Sequence, residues 1–150
     1  MSRHEEIEIP EHCRDLLDAN SLGLMTTIRH TDGRLSTNPV GYVWDGECVR
    51  VSSLKSRMKY LNLVANPTIT FCVVDAHDHT RYVELRGFAT FEDDPDRSFL
   101  RRQFLRQSGG QEPPDDLDPP GAERVTIRIH PEQVSAPVLY GGRFSQESPA

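Results

Sequence analysis

Asp32-Gly33 and Asp45-Gly46 each fall between short runs of alternating, β-branched character. A chain punctuated this way is committed to antiparallel hairpins, because Asp-Gly is a strong short-range turn signal. On one side of the first turn, Leu22, Leu24, Thr26 and Ile28 share one strand face and Gly23, Met25 and Thr27 the other. A second strand is expected from Leu35 to Trp44. Pro39 interrupts it, which marks an edge, a bulge or an exit from pairing, since proline donates no ladder hydrogen bond. A third runs from Cys48 to Ser52 with Val49 and Val51 inward. Further strands are expected at Thr68–Val74, at Arg81–Phe91, where Gly87 marks a bulge or a close approach, and at Glu123–His130.

Helical periodicity appears between them. A short helix is expected over Glu11–Ala19, with Cys13, Leu16 and Leu17 toward the core and Asn20-Ser21 ending it. Leu54, Met58, Leu61 and Ala65 follow i, i+4, i+7 and i+11, one apolar stripe with Ser56 as N-cap and Asn66-Pro67 as stop. Asp94-Pro95 opens a third helix reaching about Gln107, whose buried side the sequence leaves open. Residues 108–121 form a Gly- and Pro-rich loop, and the tail after Pro131 is expected to fray beyond Phe144. Six short strands joined by hairpins and flanked by helices fit no βαβ sheet. The expectation is a mainly β, six-stranded antiparallel barrel or strongly curled sheet.

At 150 residues this reads as one domain, residues 1–150, with a flexible N-terminal arm and C-terminal tail. A net charge of -6 lacks the overall basic footprint of a nucleic-acid binder, so no nucleic-acid partner is expected. Cys13, Cys48 and Cys72 form neither a disulfide framework nor a zinc pattern. Ser2–Glu8 is polar and acidic, without a signal-peptide pattern, and no apolar run is long enough for a membrane span. The expected setting is cytoplasmic.

The sharpest chemistry lies in Ser52-Ser53-Leu54-Lys55-Ser56-Arg57-Met58-Lys59. Positive side chains at a helix start face the positive end of its dipole. An anion relieves that, and phosphate also accepts from free N-terminal amides and from Ser52 or Ser56. The alternative is an ordinary solvated helix end. No Walker loop and no G-x-G-x-x-G fingerprint is present. His77-Asp78-His79 lacks a third-ligand pattern and reads as a solvated turn, with no metal expected. Trp44 fits either the core or an interface.

Several segments in order resemble a known family. They are Leu24-Met25-Thr26-Thr27-Ile28, Asp32-Gly33-Arg34, Ser36-Thr37-Asn38-Pro39-Val40, and Val51-Ser52-Ser53 with Arg57-x-Lys59 and Asn62-Leu63. Asn66-Pro67, Tyr82-Val83-Glu84-Leu85-Arg86-Gly87 and Tyr140-Gly141 follow. Together they resemble the split β-barrel flavin and deazaflavin oxidoreductases around pyridoxamine 5′-phosphate oxidase, and more closely their actinobacterial branch dependent on coenzyme F420. The resemblance implies a homodimer with cofactor at the subunit interface. It implies phosphate against Lys55, Arg57 and Lys59 with Ser52 or Ser53, and a ring beside Ser36, Thr37, Asn38, Pro39 and Val40. It implies hydride transfer from reduced coenzyme F420 to an unsaturated acceptor such as a quinone, tetrapyrrole or enone. An FMN-binding oxidase or reductase and a non-catalytic flavin or deazaflavin carrier are the alternatives. No proton donor is dictated.

Overall fold

The computed structural model describes residues 7–19 and 22–143. The far ends of the expected N-terminal arm and C-terminal tail, and the Asn20-Ser21 stop, lie outside the described residues. A 3-10 turn at Glu11–Cys13 leads into α1 (Arg14–Asp18), then β1 (Leu22–Ile28), β2 (Leu35–Gly41), β3 (Val43–Trp44) and β4 (Val49–Leu54). There follow α2 (Met58–Ala65), β5 (Thr68–Val74), β6 (Tyr82–Asp93), α3 (Ser98–Gln107) and β7 (Arg124–Ser135). The strands form one seven-stranded sheet of order β2-β1-β5-β6-β7-β4-β3, every pairing antiparallel. It is a half-barrel with flanking helices, the mainly β architecture expected from the hairpin pattern.

Seven strands replace six because the expected Leu35–Trp44 strand is divided. The break comes at Tyr42 and not at Pro39. Tyr42 is fully buried, and its hydroxyl lies 3.1 and 3.0 Å from the carbonyl oxygens of Leu16 and Leu17. Pro39 stays within β2, opposite Leu24, which the edge position of β2 tolerates. Both Asp-Gly turns form. Asp32 Oδ1 accepts from the Arg34 amide, Asp45 Oδ1 accepts from the Glu47 and Cys48 amides, and Gly33 and Gly46 take positive φ.

The core fills the inside of the curl. Met25, Tyr42, Val49, Ile69, Phe71, Leu85, Ile127 and Ile129 are closed to solvent there. Tyr42 and Phe71 meet edge to face, with centroids 5.1 Å apart. The Phe71 ring also sets which face of β1 turns inward. A Cβ at Gly23 would lie 2.1 Å from Phe71 Cζ, so the Gly23/Met25/Thr27 face is buried and Leu22 and Leu24 turn outward.

Gly87 marks both a bulge and a close approach. The β6–β7 register shifts between Arg86 and Gly87, and a Cβ at Gly87 would lie 1.8 Å from the His130 carbonyl oxygen. That bulge places Pro131 opposite Gly87 and lets β7 continue to Ser135. The expected end of this strand at His130 is therefore too short. The α3 helix starts at Ser98, later than expected. Asp94, buried just before it, accepts at its carboxylate from the amides of Phe99 (3.2 Å) and Leu100 (3.0 Å) and so caps it from outside.

Candidate functional site

The stripe Met58, Leu61 and Ala65 is not the buried side of α2. Met58, Leu61 and Val64 are 52%, 40% and 56% exposed, and Asn62 and Leu63 face the sheet instead. One polar residue causes the rotation. Asn62 Nδ2 donates to Thr27 Oγ1 at 3.1 Å, and Asn62 Oδ1 accepts from the His30 amide at 3.1 Å and lies 2.8 Å from His30 Nδ1. A buried amide satisfied this way outweighs a helix stripe that finds no pocket. The contact also joins the two predicted segments. The α2 helix starts at the basic run and reaches the end of β1 that pairs with Ser36, opposite Thr27.

Arg57 occupies the N-cap of α2 in extended geometry, without a side-chain cap. Its carbonyl accepts from the Tyr60 and Leu61 amides. The expected Ser56 cap is thus displaced by one residue. Lys59 is half-buried, and its pKa is pushed below the ordinary lysine value, first by burial and then by the positive charges of Arg57 and Arg124. Lys55 sits differently. Its Nζ lies 2.7 Å from Asp93 Oδ1, and that contact raises its pKa.

On β4, Ser52 and Ser53 are buried. The Ser52 amide donates to Gln103 Oε1 of α3 at 2.9 Å, and Ser52 Oγ accepts from Arg124 Nη1 at 3.3 Å. Ser53 Oγ donates to the Leu54 carbonyl at 3.3 Å. Ser52 therefore belongs to the cationic cluster, whereas Ser53 turns to its own strand.

Three residues of the cluster were not legible in the sequence. Arg124 opens β7 and forks onto Asp118, with Nη2 to Oδ1 at 2.5 Å and Nε to Oδ2 at 2.8 Å. Arg97, in left-handed backbone geometry before α3, brings Nε to 3.6 Å from Asp118 Oδ2. Arg97 Nε and Nη2 are buried without a hydrogen-bond partner. Asp118 is held below the ordinary carboxylate range, chiefly by its Arg124 bonds and then by Arg97 and Arg57. The cluster thus gathers Arg57, Arg97 and Arg124 around Asp118, with Lys59 beside Arg57 and Arg124. The positive neighbours of Lys59 and the orphaned N–H groups on Arg97 are marks of a site short of negative charge. A phosphate fits it in charge and in donor type.

The Ser36–Val40 segment lies on β2, at the free edge of the sheet. Val40 is buried, Ser36 and Asn38 are half-buried, and Thr37 and Pro39 face outward, with Thr37 Oγ1 2.8 Å from Thr26 Oγ1. A cleft of about 1180 Å³ elsewhere is lined by Trp44, Cys48, Phe88, Arg128 and His130 and contains none of the predicted site residues. His77-Asp78-His79 forms a turn in which Asp75 Oδ1 accepts from the His77 and Asp78 amides, and Asp78 Oδ1 accepts from Thr80. No helix among the described residues is long and apolar enough to cross a membrane.

The family model for pyridoxamine 5′-phosphate oxidase matches residues 9–136. The chain belongs to that family. It is also similar to an F420 reductase of known structure, at 33% identity and TM-score 0.75, over 85% of this chain and 98% of the other. Two more distant structures show the fold alone. A conserved hypothetical protein from Mycobacterium tuberculosis has 19% identity and TM-score 0.66, over 91% of this chain and 89% of the other. General Stress Protein 26 from Bacillus anthracis has 20% identity and TM-score 0.62, over 84% and 91%. No curated protein matches the chain. Family membership makes it an oxidoreductase of the flavin and deazaflavin type.

Proposed function

We propose that this chain is an oxidoreductase that takes reduced coenzyme F420 and delivers hydride to an unsaturated organic acceptor, such as a quinone, tetrapyrrole or enone. The observation that carries the cofactor site is the cluster of Arg57, Lys59 and Arg124 by the start of α2, which Arg124 ties to Ser52 of β4. The 33% identity to an F420 reductase supports the deazaflavin over FMN. When bound, the cofactor supplies the hydride from its reduced ring.

The chain's own part is to bind and to orient. Arg57 and Lys59, with Ser52, receive the phosphate. Lys55 acts from the side, since Asp93 already neutralises it. The α2 helix, pinned by Asn62 to Thr27 and His30, fixes the distance from the phosphate end to the Ser36–Val40 strand. As a sheet edge, β2 keeps backbone groups free for the polar rim of a ring. Holding the ring between two fixed elements lowers the entropic part of the barrier.

A second copy of the chain completes the site. Leu22, Leu24 and Leu35 are 57%, 37% and 73% exposed on adjacent strands of one sheet face, and Met58, Leu61 and Val64 form an apolar row on α2. Surfaces of this kind are the mark of an interface, and a two-fold dimer is the simplest closure.

The direct test is anaerobic mixing of the protein with reduced coenzyme F420 and a quinone, following the return of oxidised deazaflavin. Catalysed oxidation is the expected result. Turnover with reduced FMN in place of the deazaflavin would transfer the assignment to the FMN reading. Tight binding without turnover of any acceptor class would favour a carrier.

A further inference from the structure

We propose that Asp118 is a resident counter-ion of the cationic cluster, and that incoming phosphate displaces it and recruits Arg97 and Arg124 as direct ligands. This rests on the phosphate reading above and adds residues far from the basic run in sequence. The geometry is that of an occupied anion site. A carboxylate in a two-bond fork on a guanidinium presents oxygens as a phosphate would. Asp118 does this to Arg124 at 2.5 and 2.8 Å, and the two side chains are only 11% and 13% exposed.

The charge around this pair is unbalanced. Arg97 lies 3.6 Å from the same carboxylate, and its buried Nε and Nη2 still lack hydrogen-bond acceptors. The charges that lower the Lys59 pKa are both positive, those of Arg57 and Arg124. One carboxylate carries a single negative charge against Arg57, Arg97 and Arg124 together, so the cluster keeps donors for an incoming phosphate. Arg124 also donates to Ser52 Oγ, which joins it to the strand that carries the predicted phosphate ligand.

Asp118 itself comes from the connection between α3 and β7. That segment contains Gly109, Gly110 and Gly121 at positive φ, and Pro119-Pro120 directly after the aspartate. The carboxylate is therefore delivered by a kinked connection and not by a strand or helix whose displacement would open the sheet. A site closed by its own carboxylate binds ligand with an affinity reduced by the fraction of time it is closed.

The test uses calorimetric titration of wild type, Asp118→Asn, Arg97→Gln and Arg124→Gln with coenzyme F420, FMN and inorganic pyrophosphate, with circular dichroism of each variant as the folding control. Asp118→Asn should tighten binding about fivefold or more, because it removes the competitor and keeps the shape. Arg97→Gln and Arg124→Gln should each weaken it about tenfold, the usual scale for a lost charge-assisted contact. Binding should also speed amide hydrogen exchange at residues 115–121 of the wild type.

Weaker binding by Asp118→Asn would make Asp118 a positioning residue for Arg124 and overturn the proposal. Unchanged affinity in Arg97→Gln would overturn it as well, and that variant breaks no hydrogen bond if Asp118→Asn fails to fold. If neither cofactor binds while pyrophosphate follows the expected pattern, the cofactor reading falls and the counter-ion stands. If a cofactor binds wild type and Asp118→Asn does not tighten it, the reverse holds. No binding of any probe to any variant overturns both.

Discussion

Asn62 and His30 are joined twice, since Asn62 Oδ1 lies 3.1 Å from the His30 amide nitrogen and 2.8 Å from Nδ1 of its ring. This pair decides how α2 lies on the sheet, and so where the basic run sits relative to β2. Asn62→Leu would restore an apolar residue but leave Thr27 Oγ1 and the His30 amide without their partner. The expected cost is about 1–3 kcal/mol of stability for the stranded groups. Urea unfolding measures it, and the variant should also bind cofactor more weakly than its stability loss alone explains.

Gly87→Ala should be among the most damaging substitutions of a half-buried residue. The added methyl would meet the His130 carbonyl at 1.8 Å, and neither strand can move without breaking the β6–β7 ladder. Overpacking of this kind costs about 1–3 kcal/mol or more. Thermal unfolding checks it. A midpoint within error of wild type would mean that the bulge relaxes freely.

Acid should destabilise the fold through Asp75 and Asp118. Backbone amides of the 75–78 turn and Arg81 lower the Asp75 pKa, and Arg124 chiefly lowers that of Asp118, each below the ordinary 3.8. A group whose folded pKa is depressed binds protons more readily when unfolded, so its contribution is full above 3.8 and is lost as pH falls through the folded value. Unfolding free energy should therefore be flat from neutral pH to about 5 as far as these groups are concerned, then fall below about 4. Asp118→Asn should reduce that acid slope.

The exposed leucines make a separate prediction. Leu24→Asp combined with Leu35→Asp should convert a dimer into monomers, read by light scattering, with little loss of fold because both side chains are solvent-accessible in one copy. An unchanged mass would remove this face from the interface.

The fold was legible where local chemistry and packing agree. Both Asp-Gly turns, the Gly87 bulge and the inward Cys13, Leu16 and Leu17 follow from residue type alone. It was misread where one buried group overrides a pattern. Asn62 turns the α2 stripe outward, Tyr42 splits the expected Leu35–Trp44 strand while Pro39 takes the edge position open to it, and the Gly87 bulge carries β7 past Pro131. The basic run at Lys55–Lys59 was visible as a local anomaly of charge at a helix start. Arg97, Asp118 and Arg124 were not, because their pairing exists only after β4, α3 and β7 meet. The left-handed backbone of Arg97 and its orphaned N–H groups mark it as unusual, and both appear only in three dimensions.

The central claim is that Arg57 and Lys59 hold the phosphate of a deazaflavin. Titration of wild type and the Arg57→Ala/Lys59→Ala double variant with coenzyme F420 tests it most directly, with Lys55→Ala as a neighbouring control. Wild type should bind coenzyme F420 more tightly than FMN, the double variant should lose about a hundredfold, and Lys55→Ala should lose much less. Equal affinity in wild type and the double variant, or no binding of the deazaflavin to either, would contradict it.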